Sequence, residues 1–325
     1  MAAFRIYRHV IWPTSLLFSA MGLRRGYWQL QVDTGNYKRC VDQTCSCLVW
    51  RSFGLPWQTA HMDPPSTENH ASRVYGRAFE RDGYVVIRDA ADAERCREML
   101  RVARQHLSDQ LAPVEFESTV GYPGGPRDSQ ADGGDTIRRL LHAAARDPIY
   151  MDWATSPVVS ELVTSLLGEG ALLSQSHHNC VMTKQPGYSS VTRWHQDNRY
   201  WHFDRDELVS AWLALDEERI MNGCLRVIPG SHNLELPTGC FDADLFLRTD
   251  LPLNKILIKK AKTIELNQGD LLLFHSRLFH AASRNRTDAV KYSVVFTYHG
   301  VSNAPIRRTR SASYPSISID RAANR

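Results

Sequence analysis

The sequence predicts an all-β core of the sandwich or jelly-roll kind, with helices gathered as a buttress on its N-terminal side. Three observations carry that expectation. After Gly170, about eight short stretches rich in β-branched and aromatic residues are separated by Gly, Pro and Asn turns. Helical spacing of apolar residues is confined to the region before Gly170. No glycine-rich loop joins a strand to a helix, which disfavours a dinucleotide-binding fold.

Taken in order, residues 1–61 differ from the rest, with four of the eight Trp, three of the seven Cys and almost no acid. A basic start and the apolar stretch Val10 to Leu23 have the outline of a leader, but Pro13 interrupts it and no small-x-small cleavage site follows. The segment reads either as a targeting extension or as an overlong gene start, with Met62 the natural one. The main domain is expected over residues 62–303 and a peripheral Arg/Ser-rich tail over 304–325. Within the domain, Asp82-Gly83 turns the chain into the strand Val85-Val86-Ile87. Asp92 then caps a helix whose Cys96, Met99, Leu100, Val102 and Leu107 share a face. Residues 111–135, rich in Gly and Pro, read as a mobile loop and a candidate lid. Helices are expected at Ile137 to Arg146 and at Pro157 to Leu167. Strands follow at Ala171–Ser176, Cys180–Thr183, Val191–His195, Val209–Leu215, Cys224–Ile228, Lys262–Leu266, Asp270–Phe274 and Lys291–Tyr298.

Composition narrows the function classes. With 43% hydrophobic and 23% charged residues in 325, the chain is globular, not collagenous, coiled-coil or wholly disordered. No apolar run approaches the roughly 18 residues of a membrane-spanning helix. The formal charge of +4 is concentrated at the start, because residues 62–325 hold 32 of the 39 Lys/Arg and 33 of the 35 Asp/Glu. A neutral body offers no general phosphate-binding face, so nucleic acid is not an expected partner. The odd, scattered set of seven Cys reads as reduced thiols and a cytoplasmic location. Cys40, Cys45 and Cys47 lack a fourth ligand at zinc spacing.

In Arg193-Trp194-His195-Gln196-Asp197, an imidazole and a carboxylate stand two residues apart at a strand end, where alternate side chains share a face. A second imidazole is offered by Phe274-His275 or by Phe279-His280. Two His and one carboxylate on one face of an octahedron make a non-haem Fe(II) site, with three positions left for a co-substrate and O2. His-x-Asp alone is weak evidence, since a lone His is more often a hydrogen-bonded structural residue.

The surrounding motifs are more specific. Trp194-His-Gln-Asp197, Trp212-Leu-Ala-Leu-Asp216, Asn222-Gly-Cys-Leu225, Ile228-Pro-Gly-Ser-His232, Gly269-Asp270 and Phe274-His275 to His280 occur in one order, preceded by Phe79-Glu-Arg-Asp-Gly-Tyr-Val-Val-Ile87. In these residues the chain resembles the phytanoyl-CoA dioxygenase family over about residues 72–300. The resemblance implies a double-stranded β-helix, cupin-like, using Fe(II), 2-oxoglutarate and O2, with ascorbate as an activator in vitro. Carried over by residue, it makes His195, Asp197 and His280 the iron ligands, His275 a supporting group and Trp212 a wall of the co-substrate pocket. Eleven residues after His280 the family places an Arg for the far carboxylate of 2-oxoglutarate; this chain has Lys291. Lysine is a point charge where arginine is a planar fork. Ser293, on the same strand face, is the expected second donor, and Arg284 and Arg286 are the alternative cations. Ala282 replaces a residue that is often small and polar.

The resemblance implies an oxygenase that hydroxylates a small or medium organic molecule, anionic or acyl-type, and releases succinate and CO2. Asp197 argues against halogenation, because related halogenases lack that carboxylate. The rivals are a redox-neutral cupin-like isomerase or epimerase, and a non-catalytic binder of 2-oxoglutarate or metal. Adjacent His177 and His178 face opposite ways on a strand, so at most one joins the site. Tyr200, Trp201 and Phe203 are packing residues or a substrate wall. Lys255, Lys259, Lys260 and Lys262 are a solvated face or an anion patch. Neither the substrate's identity nor the oligomeric state is legible in the sequence.

Overall fold

A computed structural model of the chain describes residues 67–319; the expectations for residues 1–61 fall outside them. Helix α1 (Thr67–Asp82) ends at Gly83, whose φ of +78° turns the chain into β1 (Tyr84–Ile87). A Cβ there would lie 2.4 Å from Nδ1 of His232, so both conformation and space require glycine. Helix α2 (Ala93–Ser108) starts where the Asp92 carboxylate accepts a hydrogen bond from the Arg95 amide at 2.8 Å, and it buries Cys96, Met99, Leu100, Val102 and Ala103.

The expected loop 111–135 carries regular structure, with β2 (Val114–Phe116) and the single turn α3 (Glu117–Val120). The expected helix from Ile137 is instead β3 (Ile137–Leu141), followed by one turn, α4 (Ala143–Arg146). Ile-Arg-Arg-Leu-Leu is too short to separate the two periods. Pairing with β2 decides it, and His142, at a φ of +56°, breaks the chain direction. Helices α5 (Pro148–Ala154) and α6 (Pro157–Leu167) both begin with Pro after a capping Asp147 or Ser156.

The remaining strands are β4 (Ala171–Lys184), β5 (Thr192–His195), β6 (Leu208–Ala214), β7 (Leu225–Val227), β8 (Lys262–Ile264), β9 (Leu271–His275), β10 (His280–Ala282), β11 (Lys291–Gly300) and β12 (Ile317–Ser318). Helix α7 (Pro252–Ile258) precedes β8. The two strands expected between Ala171 and Thr183 are one, but its ladder with β11 is interrupted by a bulge: Asn179 lies opposite Phe296 and Ser174 opposite Thr297, which leaves residues 175–178 without a partner on β11.

One sheet runs β1-β9-β6-β11-β4-β3-β2, with β12 beside β4; the other runs β5-β10-β7-β8. The sheets share a core in which Trp212, Leu272, Phe274 and Val295 meet Leu225, Val227, Ile264 and Ala282. The opposite face of the large sheet, with Val209, Ala211, Leu213, Leu271, Leu273, Val294 and Phe296, packs on residues of α2, α5 and α6. Strands covered on both faces read as continuous apolar runs, which is why Leu271-Leu-Leu-Phe274 does not alternate. This is the expected jelly roll, a double-stranded β-helix with its helical buttress.

The described part of the tail is not peripheral. Ser311 hydrogen-bonds Nε2 of buried His177 at 2.7 Å and Ser316 does the same for His299 at 2.7 Å, so its hydroxyls satisfy imidazoles of β4 and β11. Among the described residues no helix is long and apolar enough to cross a membrane.

Candidate metal centre and cavity

Strand β10 runs antiparallel to β5 with His280 opposite His195, which places the ring centroids 4.2 Å apart. Nδ1 of His195 lies 2.8 Å from the Arg193 carbonyl and Nδ1 of His280 lies 3.0 Å from that of Leu278. A carbonyl only accepts, so each Nδ1 carries the proton and each Nε2 presents its lone pair. Asp197 opens a turn of 3-10 helix just past β5. Its Oδ1 is 3.7 Å from Nε2 of His195 and 3.5 Å from Nε2 of His280. Ligand atoms each about 2.1 Å from one ion lie roughly 3–4 Å apart, so this donor set fits a divalent metal. All three side chains are buried, and desolvation followed by the neighbouring His280 holds His195 well below the ordinary imidazole range, neutral as a ligand must be. The Ser210 hydroxyl donates to the other Asp197 oxygen at 3.4 Å.

The triad opens on a cavity of about 360 Å³. Its wall includes Trp212, Tyr200 and Trp201, and also Tyr122 from the 111–135 segment, whose hydroxyl meets that of Tyr200 at 2.9 Å. Several lining cations are paired: Arg138 with Glu117 at 3.3 Å, Arg139 with Glu115 at 3.0 Å, and Arg193 with Asp242. Arg199 stacks on Phe246 at 3.7 Å and Tyr200 at 4.3 Å, and among the described residues neither it nor Arg310 has a carboxylate partner. Nζ of Lys184 donates to the Ser190 carbonyl at 3.2 Å. Burial, then the charges of Arg138 and Lys291, lowers that ammonium to about 7.

At one side of this wall, three expected co-substrate contacts converge on a residue the sequence did not single out. Lys291 Nζ lies 2.7 Å from Glu218 Oε2, while the Ser293 hydroxyl and the Trp212 indole N–H donate to Oε1 at 2.6 and 2.7 Å. Lys291 and Trp212 line the cavity, and Glu218 is fully buried.

Of the other candidates, His275 lies away from the triad, accepting from the Arg277 amide at 3.0 Å and packing on Phe79 and His232. His177 and His178 do not segregate to opposite faces as expected: both line the cavity and both pack on Trp201, with ring centroids 5.4 and 5.3 Å away, because the bulge in β4 takes them off the ladder. His178 approaches Asp197 Oδ2 at 3.4 Å and is pushed by burial to about 4, while His177 turns to Ser311. Tyr200 and Trp201 line the cavity, whereas Phe203 packs with Trp201 and Leu208. Arg284 is spent on the Ser189 and Gly187 carbonyls. The lysines at 255–262 are exposed and outside the cavity. Glu218 was missed because Asp216-Glu217-Glu218 after a strand looks like a solvated turn. Arg138 and Arg139 carry no signal in the sequence, because a helix over Ile137 to Arg146 would not aim both at the site, whereas β3 brings both to the cavity wall.

Comparison with known proteins places these features in context. The family model for phytanoyl-CoA dioxygenase (PhyH) matches residues 79–293. A phytanoyl-CoA dioxygenase of Arabidopsis thaliana is 30% identical over 159 residues, 49% of this chain and 55% of that protein, so the chain spans about half its length. The crystal structure of EctD from S. alaskensis with bound Fe is 21% identical, covering 82% of this chain and 90% of that one at a TM-score of 0.61. The epimerase SnoN, in complex with Fe3+, alpha ketoglutarate and nogalamycin RO, is 22% identical over 73% of this chain and 86% of that one, at a TM-score of 0.59. The two structures share the fold. Iron and 2-oxoglutarate, the cofactors that the family resemblance implies, are those found with these relatives.

Proposed function

Because the chain belongs to the phytanoyl-CoA dioxygenase family, we propose that it is an Fe(II)- and 2-oxoglutarate-dependent oxygenase that hydroxylates an anionic or acyl-type organic molecule of small to medium size. The observation that carries this reading is the convergence of two lone-pair-bearing Nε2 atoms and one Asp197 oxygen beside a cavity with cationic walls. Bound iron would supply activation of O2 coupled to decarboxylation of 2-oxoglutarate to succinate and CO2.

The protein's residues hold, orient and exclude. His195, Asp197 and His280 take one face of the ion, and the carbonyls of Arg193 and Leu278 keep both rings in the ligating tautomer. Trp212, Lys291 and Ser293, which the resemblance gives to the far end of the co-substrate, are here bonded to Glu218. Arg199 and Arg310, lacking carboxylate partners, are assigned to an anionic group of the substrate, with Arg199 stiffened by its aromatic stack. The Tyr122–Tyr200 contact, with Phe246 edge-on to Tyr122, covers the cavity against bulk water. A cytoplasmic location accords with the free, buried thiols of Cys96, Cys180, Cys224 and Cys240.

The test is succinate release by Fe(II)-loaded protein with 2-oxoglutarate across a panel of carboxylated and acyl substrates, beside the Asp197→Ala variant. A product heavier by one oxygen supports hydroxylation. A product of unchanged mass would indicate stereoinversion, the activity in SnoN's name. Absence of Asp197-dependent succinate across the panel refutes the reading.

A further inference from the structure

Resting on the oxygenase reading above, we propose that Glu218 sets the co-substrate preference: its carboxylate fills, from within the chain, the position that Lys291, Ser293 and Trp212 would otherwise offer to the far carboxylate of 2-oxoglutarate. An ammonium, a hydroxyl and an indole N–H aimed at one point make a carboxylate-recognition set, and all three are within 2.7 Å of Glu218 oxygens. The backbone of Glu218 exchanges hydrogen bonds with Leu266, at 2.8 and 3.1 Å, which fixes the residue's main chain beside the three donors, and the donors themselves hold the carboxylate. The side chain is completely shielded from solvent, which leaves water no share in satisfying it.

The consequence is electrostatic. Lys291 and Glu218 at 2.7 Å form a neutral pair, so Lys291 itself offers the cavity no uncompensated charge, and the neighbouring Lys184 is turned to the Ser190 carbonyl at 3.2 Å. A second carboxylate brought there would share one ammonium with the first and meet like charge across it. A 2-oxo acid with an apolar tail pairs its keto and carboxylate oxygens with the metal equally well and meets no such opposition. Lysine suits this arrangement better than arginine, because a compact ammonium serves Glu218 and Ser293 without needing the planar two-oxygen partner of a guanidinium.

The experiment compares 2-oxoglutarate with 2-oxopentanoate, which has the same five-carbon chain with a methyl group in place of the far carboxylate. Binding is followed by isothermal titration calorimetry on Mn(II)-loaded wild type and Glu218→Gln. Wild type is expected to bind the two acids within about threefold of each other. In Glu218→Gln, which keeps shape and an acceptor oxygen but releases the charge of Lys291, 2-oxoglutarate tightens about tenfold or more while 2-oxopentanoate is unchanged. A wild type that favours 2-oxoglutarate by about tenfold, or a variant with unaltered preference, overturns the proposal. Should Glu218→Gln fold poorly, the double variant Glu218→Met/Lys291→Met decides. Unchanged 2-oxoglutarate affinity supports the proposal, and a tenfold loss overturns it because Lys291 would then be the anchor. Failure of the oxygenase reading has a different signature, since neither acid would bind either protein with metal present, and the proposal would fall with it.

Discussion

Replacing Lys291 with Met should be among the most damaging single changes in the protein. The ammonium is 3% exposed and the carboxylate it meets is 0% exposed. The substitution leaves Glu218 ionised in the core with only two neutral donors, Trp212 and Ser293. Breaking a buried pair from one side costs about 3–5 kcal/mol, a large part of the 5–15 kcal/mol that holds a typical domain folded. At roughly 2–4 °C per kcal/mol for a domain of this size, the melting temperature falls by about 6–20 °C. Removing both partners as Glu218→Met/Lys291→Met should recover all but about 1–2 kcal/mol, because two apolar chains of similar volume carry no stranded charge. Urea unfolding of wild type, the single variant and the double variant measures the coupling, and a buried pair predicts little change between low and high salt. A Lys291→Met cost below about 1 kcal/mol, or a double variant no better than the single one, would refute the reasoning.

Three further outcomes are expected. Metal analysis after dialysis against Mn(II) should show stoichiometric ion in wild type and His275→Ala, and none in His195→Ala, Asp197→Ala or His280→Ala; metal lost with His275 would move the site. Burial, with the charges of His178, Arg310 and His202, pushes His177 down to about 3, so the unfolded chain takes up a proton near pH 6.5 that the folded one refuses. Its contribution to stability is therefore complete above pH 6.5 and is lost as pH falls toward 3, at up to about 1.4 kcal/mol per pH unit. His177→Gln should flatten urea midpoints between pH 6 and 4, and an unchanged slope would contradict this. Gly223→Ala should cost about 1–3 kcal/mol, since φ is +78° and the added Cβ would lie 2.5 Å from the Ser283 carbonyl and 2.7 Å from Lys184 Cε; a melting temperature within one degree of wild type would count against it.

Where elements bury one clear stripe, the sequence made them legible. The α2 face and its Asp92 cap, the Pro-initiated α6 and the long apolar β9 and β11 all follow from local pattern. Errors fell where tertiary pairing overrides a short, ambiguous run. Ile137–Leu141 is a strand because β2 and β4 flank it, and nothing within those five residues says so. His280 belongs to β10, a strand absent from the expected set because three residues are too few to show alternation. The residues that meet at the triad could still be named, because family motifs encode what periodicity does not. Glu218 was invisible for the converse reason. A carboxylate in an acidic turn looks solvated until its partners, 73 and 75 positions onward, are known.

The packing of the Arg/Ser-rich segment orders the assembly of the cavity in time. The three side chains of the candidate metal site all precede residue 281, but Ser311, which buttresses His177, and Arg310, which closes part of the wall, follow it. On a ribosome the ion cage could therefore be complete while the chamber beside it still lacked a side. A chain cut after Gly300 is expected to retain the His195–Asp197–His280 cluster while one part of the cavity wall, at Arg310, is missing.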